Sequence, residues 1–197
     1  MRGLRALYRS DFLYRAALVF MVVAWVLSPA TRATASKGEK PLAKQLGLLE
    51  LSEEQYLEEF ALPDLNGNIV SSKNLSGQIL LLNFWATWCH SCKSERLALQ
   101  EISDTFREYG LTVVAIAADP KGKERVPAYV EKHNLTFLHL LDDKRVLVKR
   151  LKVHVLPTSF IVGRDGRVLC KGIGEIAWDS EVGNMYLKQI LSEGGGK

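Results

Sequence analysis

Two stretches of the chain are apolar almost without interruption, and they set its framework. Residues 78–85 read Gln-Ile-Leu-Leu-Leu-Asn-Phe-Trp and residues 111–117 read Leu-Thr-Val-Val-Ala-Ile-Ala. Their length suits strands, and the lack of alternation predicts strands covered on both faces, as in a sheet flanked by helices. Residues 93–107, between them, read as a helix. Beyond the second strand, residues 123–133 predict a helix and 136–140 a short strand. Residues 144–152 predict another helix, with Val146, Leu147 and Leu151 at helical spacing. Residues 158–162 and 167–171 read as strands paired about Gly163-Arg164-Asp165-Gly166, whose Asp-Gly favours a hairpin turn. A helix over 178–192 closes the chain, and residues 194–197 form a frayed tail.

Upstream, Ala61-Leu62-Pro63-Asp64-Leu65 and Ile69-Val70 flank Asn66-Gly67-Asn68, a turn signal between two short strands. Residues 36–59 read as a tether, small, polar and basic as far as residue 40, and then one or two short helices. Leu42, Leu46, Leu49, Tyr56 and Leu57 are available there to pack. The main domain is therefore expected over residues 60–193.

Composition is most informative at the N-terminus. The chain has 197 residues, 47% hydrophobic and 24% charged, which suits one globular domain with an extension. Its net charge of +4 resides in the first 35 residues, where Arg2, Arg5, Arg9, Arg15 and Arg32 stand against Asp11. The remainder balances 21 basic against 21 acidic side chains, so it carries no basic footprint for nucleic acid. Four of those arginines precede an apolar run over residues 16–27, and Ala33-Thr34-Ala35 follows. A basic start, an apolar centre and a small-x-small site describe a secretory signal. The run is shorter than the roughly 20 residues of a spanning helix. Pro29 and Ala30 nevertheless extend it toward an uncleaved membrane anchor over residues 16–30. In both readings the arginines stay inside and the domain is extracytoplasmic, in the periplasm or its equivalent.

Cysteines bring in the chemistry. Cys89 and Cys92 lie just past the first apolar run, where strand gives way to helix. Unpaired N–H groups and the positive end of the helix dipole favour an anion there, and a thiolate is the attacking species in disulfide exchange. Oxidising surroundings permit disulfides, yet a bridge between residues three apart constrains little of the unfolded chain. A redox role explains the pair better than a staple. A zinc site would need four ligands, and Cys170, His133, His139 and His154 offer no second close-spaced pair. Haem attachment needs His directly after the second cysteine, where Lys93 stands. Cys170 reads as a buried hydrophobe.

Phe84-Trp85-Ala86-Thr87-Trp88-Cys89, then Cys92 and Glu95, and downstream Leu156-Pro157-Thr158-Ser159-Phe160-Ile161-Val162, resemble a known family. It is the TlpA/ResA/CcmG type of thioredoxin-like thiol–disulfide oxidoreductase, within the AhpC/TSA redoxin superfamily. The likeness spans most of the domain. It implies an α/β thioredoxin fold with a central βα insertion over residues 123–140 and an N-terminal β-hairpin extension. It also implies that Cys89 is the nucleophile, Cys92 the resolving thiol and Glu95 an acid that moves protons between them. Leu156 and a cis Pro157 are expected opposite the active cysteine, with Trp88 and His90 supporting the site.

The implied clients are disulfide-containing proteins, apocytochrome c foremost, and the implied source of electrons is a membrane donor of the DsbD/CcdA kind. No metal or organic cofactor is required. Asn83 stands where many thioredoxins carry a titratable Asp, which leaves Glu95 as the candidate acid. Glu95 also fits a plainer reading, an exposed acid in a first helical turn favoured by the dipole. His90 either stabilises the neighbouring thiolate, which favours the reduced form and makes the couple more oxidising, or faces solvent without effect. Ser91 replaces the proline common at its position. Trp85 and Trp88 are expected to divide between the core and the face beside the site. The rival readings are a net oxidant or isomerase, a thiol peroxidase, and a partner-binding module without catalysis. A peroxidatic Pro-x-x-x-Thr-x-x-Cys setting would place its proline and threonine at Leu82 and Ala86.

Overall fold

The computed structural model describes residues 41–193 apart from Ser52. The expected signal or anchor, the tether as far as residue 40 and the tail at 194–197 lie outside the described residues. No helix among the described residues is long and apolar enough to cross a membrane.

Strand β1 is Leu49–Glu50, β2 Ala61–Pro63, β3 Ile69–Ser71 and β4 Ile79–Trp85. Strand β5 is Leu111–Ala117, β6 Leu138–Leu141, β7 Thr158–Val162 and β8 Val168–Ile173. The helices are α1 (Leu42–Gln45), α2 (Cys92–Phe106), α3 (Gly122–Lys132), α4 (Val146–Arg150) and α5 (Glu181–Glu193). Six strands form one sheet in the order β1-β8-β7-β4-β5-β6, and β2 with β3 makes a separate hairpin. β4 runs parallel to β5 and antiparallel to β7. This is the thioredoxin fold; α3 and β6 form the central insertion, and β2–β3 the N-terminal hairpin.

Every residue of β4 is buried, as expected of a strand covered on both faces. Its side chains alternate between two cores. Ile79, Leu81 and Trp85 join Leu99 and Ile102 of α2 and Leu187 of α5, whereas Leu80, Leu82 and Phe84 join Ile116, Leu147 and Phe160. Asn83 shares parity with the first set, which places a polar group inside the face that α2 covers. Filling such an interior with a Leu stabilises by about 1.5–3 kcal/mol per side chain.

Two sequence expectations are corrected. Residues 41–59 hold one short helix, and Gly47 at φ +74° ends it in a conformation that favours glycine. The chain then adds an edge strand, with Leu49 opposite Lys171 and Glu50 opposite Cys170, because backbone groups along β8 are there to be paired. The closing helix begins at Glu181 rather than 178: the Ser180 hydroxyl accepts from the Gly183 amide, and Trp178 lies ahead of it. Smaller shifts put β6 at Leu138–Leu141, α4 at Val146–Arg150 and the start of α2 at Cys92.

Candidate active site

β4 delivers the chain to a loop, residues 86–91, that is tied down before it reaches α2. The Cys89 amide donates to the Ala86 carbonyl at 3.1 Å, and the Ala118 amide donates to the Trp85 carbonyl at 2.8 Å. Thr87 donates through both its amide and its hydroxyl to the carboxylate of Asp119, just past β5. Burial works to raise the Asp119 value, but these donors and the Lys121 amide outweigh it and hold the group below the ordinary range. An ionised Asp119 thus clamps the loop to the end of the neighbouring strand.

Cys89 and Cys92 form a disulfide with an S–S distance of 1.99 Å and Cα atoms 5.4 Å apart. Cys92 is the first residue of α2 and fully buried, whereas Cys89 is 7% exposed. The Ser91 side chain makes no capping hydrogen bond. Its hydroxyl lies 3.6 Å from the Cys89 sulfur. Trp85 is buried, Trp88 is 60% exposed and His90 is exposed. The Leu156–Pro157 bond is cis. Phe84 pairs with Thr158, so the register sets Pro157 across from Trp85, at the end of β4 that feeds the cysteine loop. Pro157 is buried and Leu156 half-buried.

Glu95 lies one helical turn beyond Cys92 and is only 1% exposed, which rules out the reading of a solvent-facing acid. The first turn of α2 presents Cys92, Glu95 and Arg96 inward, because Leu99 and Ile102 turn the same face to the sheet. Its carboxylate accepts from Asn83 Nδ2 at 2.9 Å, Trp178 Nε1 at 3.0 Å and the Ile176 amide at 3.2 Å. The Ser159 hydroxyl stands 3.5 Å away and itself accepts from Asn83 at 3.0 Å. Burial pushes the Glu95 carboxyl up to about 7, although these donors pull in the opposite direction. Asn83 Oδ1 is buried and unpartnered. A rotated Asn83 amide would accept from the protonated acid, so the network suits either protonation state.

Sequence reasoning missed Ser159, Ile176, Trp178 and Arg96 as neighbours of this site. Ser159 enters because β7 pairs it with Asn83, and Trp178 and Ile176 arrive from a loop that no pattern marked. Cys170 is a free thiol buried on β8, 3.2 Å from the Tyr186 hydroxyl, and burial pushes it up to about 11.

Residues 54–170 match the AhpC/TSA family. The chain belongs to that family. Thiol-disulfide oxidoreductase ResA of Bacillus cereus is 34% identical over 131 residues, 66% of this chain and 74% of that protein. The crystal structure of StoA from Bacillus subtilis is 28% identical with a TM-score of 0.53, covering 59% of this chain and 88% of StoA. A secreted thiol-disulfide isomerase from Corynebacterium glutamicum shares the fold, with a TM-score of 0.66 at 20% identity over 76% of this chain and 92% of that one. Within the AhpC/TSA family this chain is thus a ResA/CcmG-like thiol–disulfide oxidoreductase, with a Cys-x-x-Cys pair at bonding distance.

Proposed function

We propose that the chain reduces disulfides of client proteins outside the cytoplasm, with Cys89 as nucleophile, Cys92 as resolving thiol and Glu95 as proton acceptor. The Cys89 thiolate attacks one sulfur of a client disulfide, and a mixed disulfide forms as the first client thiolate leaves. Cys92 gives its proton to Glu95 and attacks the Cys89 sulfur, which closes the Cys89–Cys92 bond and expels the second client thiolate. Two electrons and two protons pass to the client. A membrane donor of the DsbD/CcdA kind then returns two electrons and two protons to the oxidised pair.

One observation carries this reading: a buried acid with a value near neutrality sits one turn from the inner cysteine. An acid poised near working pH serves best in proton transfer. The extracytoplasmic location rests on the residue pattern of 1–35, whether cleaved or kept as an anchor. Apocytochrome c is the favoured client by resemblance. Trp88 and His90, exposed on the cysteine loop, and Leu156 with the cis Pro157, across from Trp85, are the positions a client is expected to meet. Leu82 and Ala86, in place of proline and threonine, weigh against a peroxidase.

Equilibration against thiol–disulfide buffers at pH 7 tests the direction of electron flow. A midpoint near the thioredoxin range of about −270 mV supports a reductant, and one near about −120 mV assigns an oxidant. Insulin reduction that persists in Cys89→Ser would remove the catalytic assignment altogether.

A further inference from the structure

Among the described residues Arg96 is the one buried cation, 2% exposed. Its guanidinium carbon lies 4.1 Å from the centre of the Trp85 ring and 4.4 Å from that of Tyr129, so two aromatic rings hold it. Nη2 donates to the Tyr129 hydroxyl, while Nε and Nη1 have no partner. Among the described residues no carboxylate forms an ion pair with it, although the Glu95 charge acts on it. Burial lowers its value, yet an arginine starts so high that it remains charged. A buried cation without a hydrogen-bonded carboxylate is costly to desolvate. A methionine would fill the same space without that penalty, so the charge itself needs a use.

Helix geometry supplies one. Cys92, Glu95 and Arg96 stand at i, i+3 and i+4, so Glu95 and Arg96 flank Cys92 on one helix face with Cβ atoms about 5–6 Å from its own, and the Arg96 guanidinium lies against Trp85, at the strand end that leads into the cysteine loop. We infer that Arg96 is a positioning residue for the dithiol, a fixed internal cation that favours the Cys92 thiolate formed when the mixed disulfide is resolved. The inference rests on the reading of Cys92 as the resolving thiol. When the Cys92 proton moves to Glu95, the pair keeps a single negative charge, and that charge stays on the helix face that carries Arg96.

Other groups around this face do not supply such a cation. His139, from β6, stacks on Phe137 and meets the Trp85 edge; burial and then the Arg96 charge push it down to about 4, so it is neutral. Burial and its cationic neighbours also lower His133, from the end of α3. Lys93 and His90 are exposed, where water and salt screen them. Glu175, from the β8–α5 loop, is an acid that raises the Glu95 value and supplies no cation.

NMR titration of 13C-labelled cysteine in the Cys89→Ser protein tests the inference, with Cys170 in the same spectrum as a buried thiol that lacks a cation. Cys92 is expected to titrate at least tenfold more readily than Cys170. R96M is expected to raise the Cys92 midpoint by about one unit or more, a tenfold loss of acidity. Equal midpoints in R96M and its parent, or a Cys92 that titrates together with Cys170, would overturn the role. Should R96M not fold, R96K carries the same reading, since an ammonium lacks the flat faces that seat the guanidinium between the rings. A rise of half a unit or more then supports the role, and no rise overturns it. Insulin reduction by the wild type and its loss in Cys89→Ser report on the cysteine assignment separately.

Discussion

Trp178 and Glu95 lie 83 residues apart in the chain, and the indole Nε1 donates to the Glu95 carboxylate at 3.0 Å. This contact joins the loop before α5 to the first turn of α2, directly below the cysteine pair. It also stabilises the anion of an acid whose burial favours the proton. Substituting Trp178 with Phe keeps an aromatic ring and removes the donor. The Glu95 midpoint is expected to move above 7, seen as an alkaline shift of the inflection in the pH–rate profile of disulfide reduction. The variant should lose about 1–3 kcal/mol above neutral pH, where the carboxylate is charged. An unmoved inflection would show that the indole does not act on the acid.

Glu95 couples pH to stability with a definite sign. Its ordinary value near 4.5 is raised to about 7 by burial. The unfolded chain therefore releases this proton near pH 4.5, while the folded protein holds it until about pH 7. The contribution to stability is complete below 4.5 and is lost as pH rises through 7. Glu95→Gln stays neutral throughout and lacks this fall. Its stability relative to wild type is expected to improve by up to about 3 kcal/mol between pH 4 and pH 8, by denaturant unfolding. A constant difference across that range contradicts the raised value. Reduction of disulfides by the same variant should slow by at least about a hundredfold near neutrality, the low end for a lost general base.

Cys170 is expected to be chemically silent. A buried thiol pushed up to about 11 presents almost no thiolate at pH 8. Iodoacetamide treatment of the reduced, folded protein, followed by peptide mass analysis, should leave Cys170 unmodified while Cys89 reacts. All three cysteines should react in denaturant. Modification of Cys170 at the rate of Cys89 would show that the β8 thiol is accessible.

Trp88, 60% exposed beside the cysteines, tests the client surface. Trp88→Ala should change stability by no more than about 0.5 kcal/mol, as exposed sites usually do. It should raise KM for a protein disulfide severalfold and leave the reduction of a small disulfide unchanged. An equal loss with both substrates would assign the ring to the chemistry instead.

How far the residues alone disclose this molecule depends on whether the relevant signal is local. β4 and β5 are legible because an uninterrupted apolar run of strand length has few alternatives, and the turn at 163–166 is legible from Asp-Gly. Cys89 and Cys92 are conspicuous because their chemistry and spacing are local. Glu95 is ambiguous, since a glutamate in a first helical turn ordinarily faces water. Its burial is decided by Asn83, Ser159, Ile176 and Trp178, which three distant segments bring together. Trp178 reads as the first residue of a helix, yet its contact is with the acid. Leu49 fits a helical pattern too, but β8 offers it a paired edge. Arg96 carries no signal at all, because nothing local separates a guanidinium seated between two rings from one in solvent.

Catalysis here depends on the asymmetry between an outer sulfur that attacks and an inner sulfur that resolves. Single-cysteine trapping measures it. Reduced Cys92→Ser and reduced Cys89→Ser are each mixed with a protein disulfide at pH 7, and covalent adducts are counted by mass. The expected result is an adduct that accumulates through Cys89 in Cys92→Ser and almost none in Cys89→Ser. Accumulation through Cys92 with Cys89 inert would contradict the assignment.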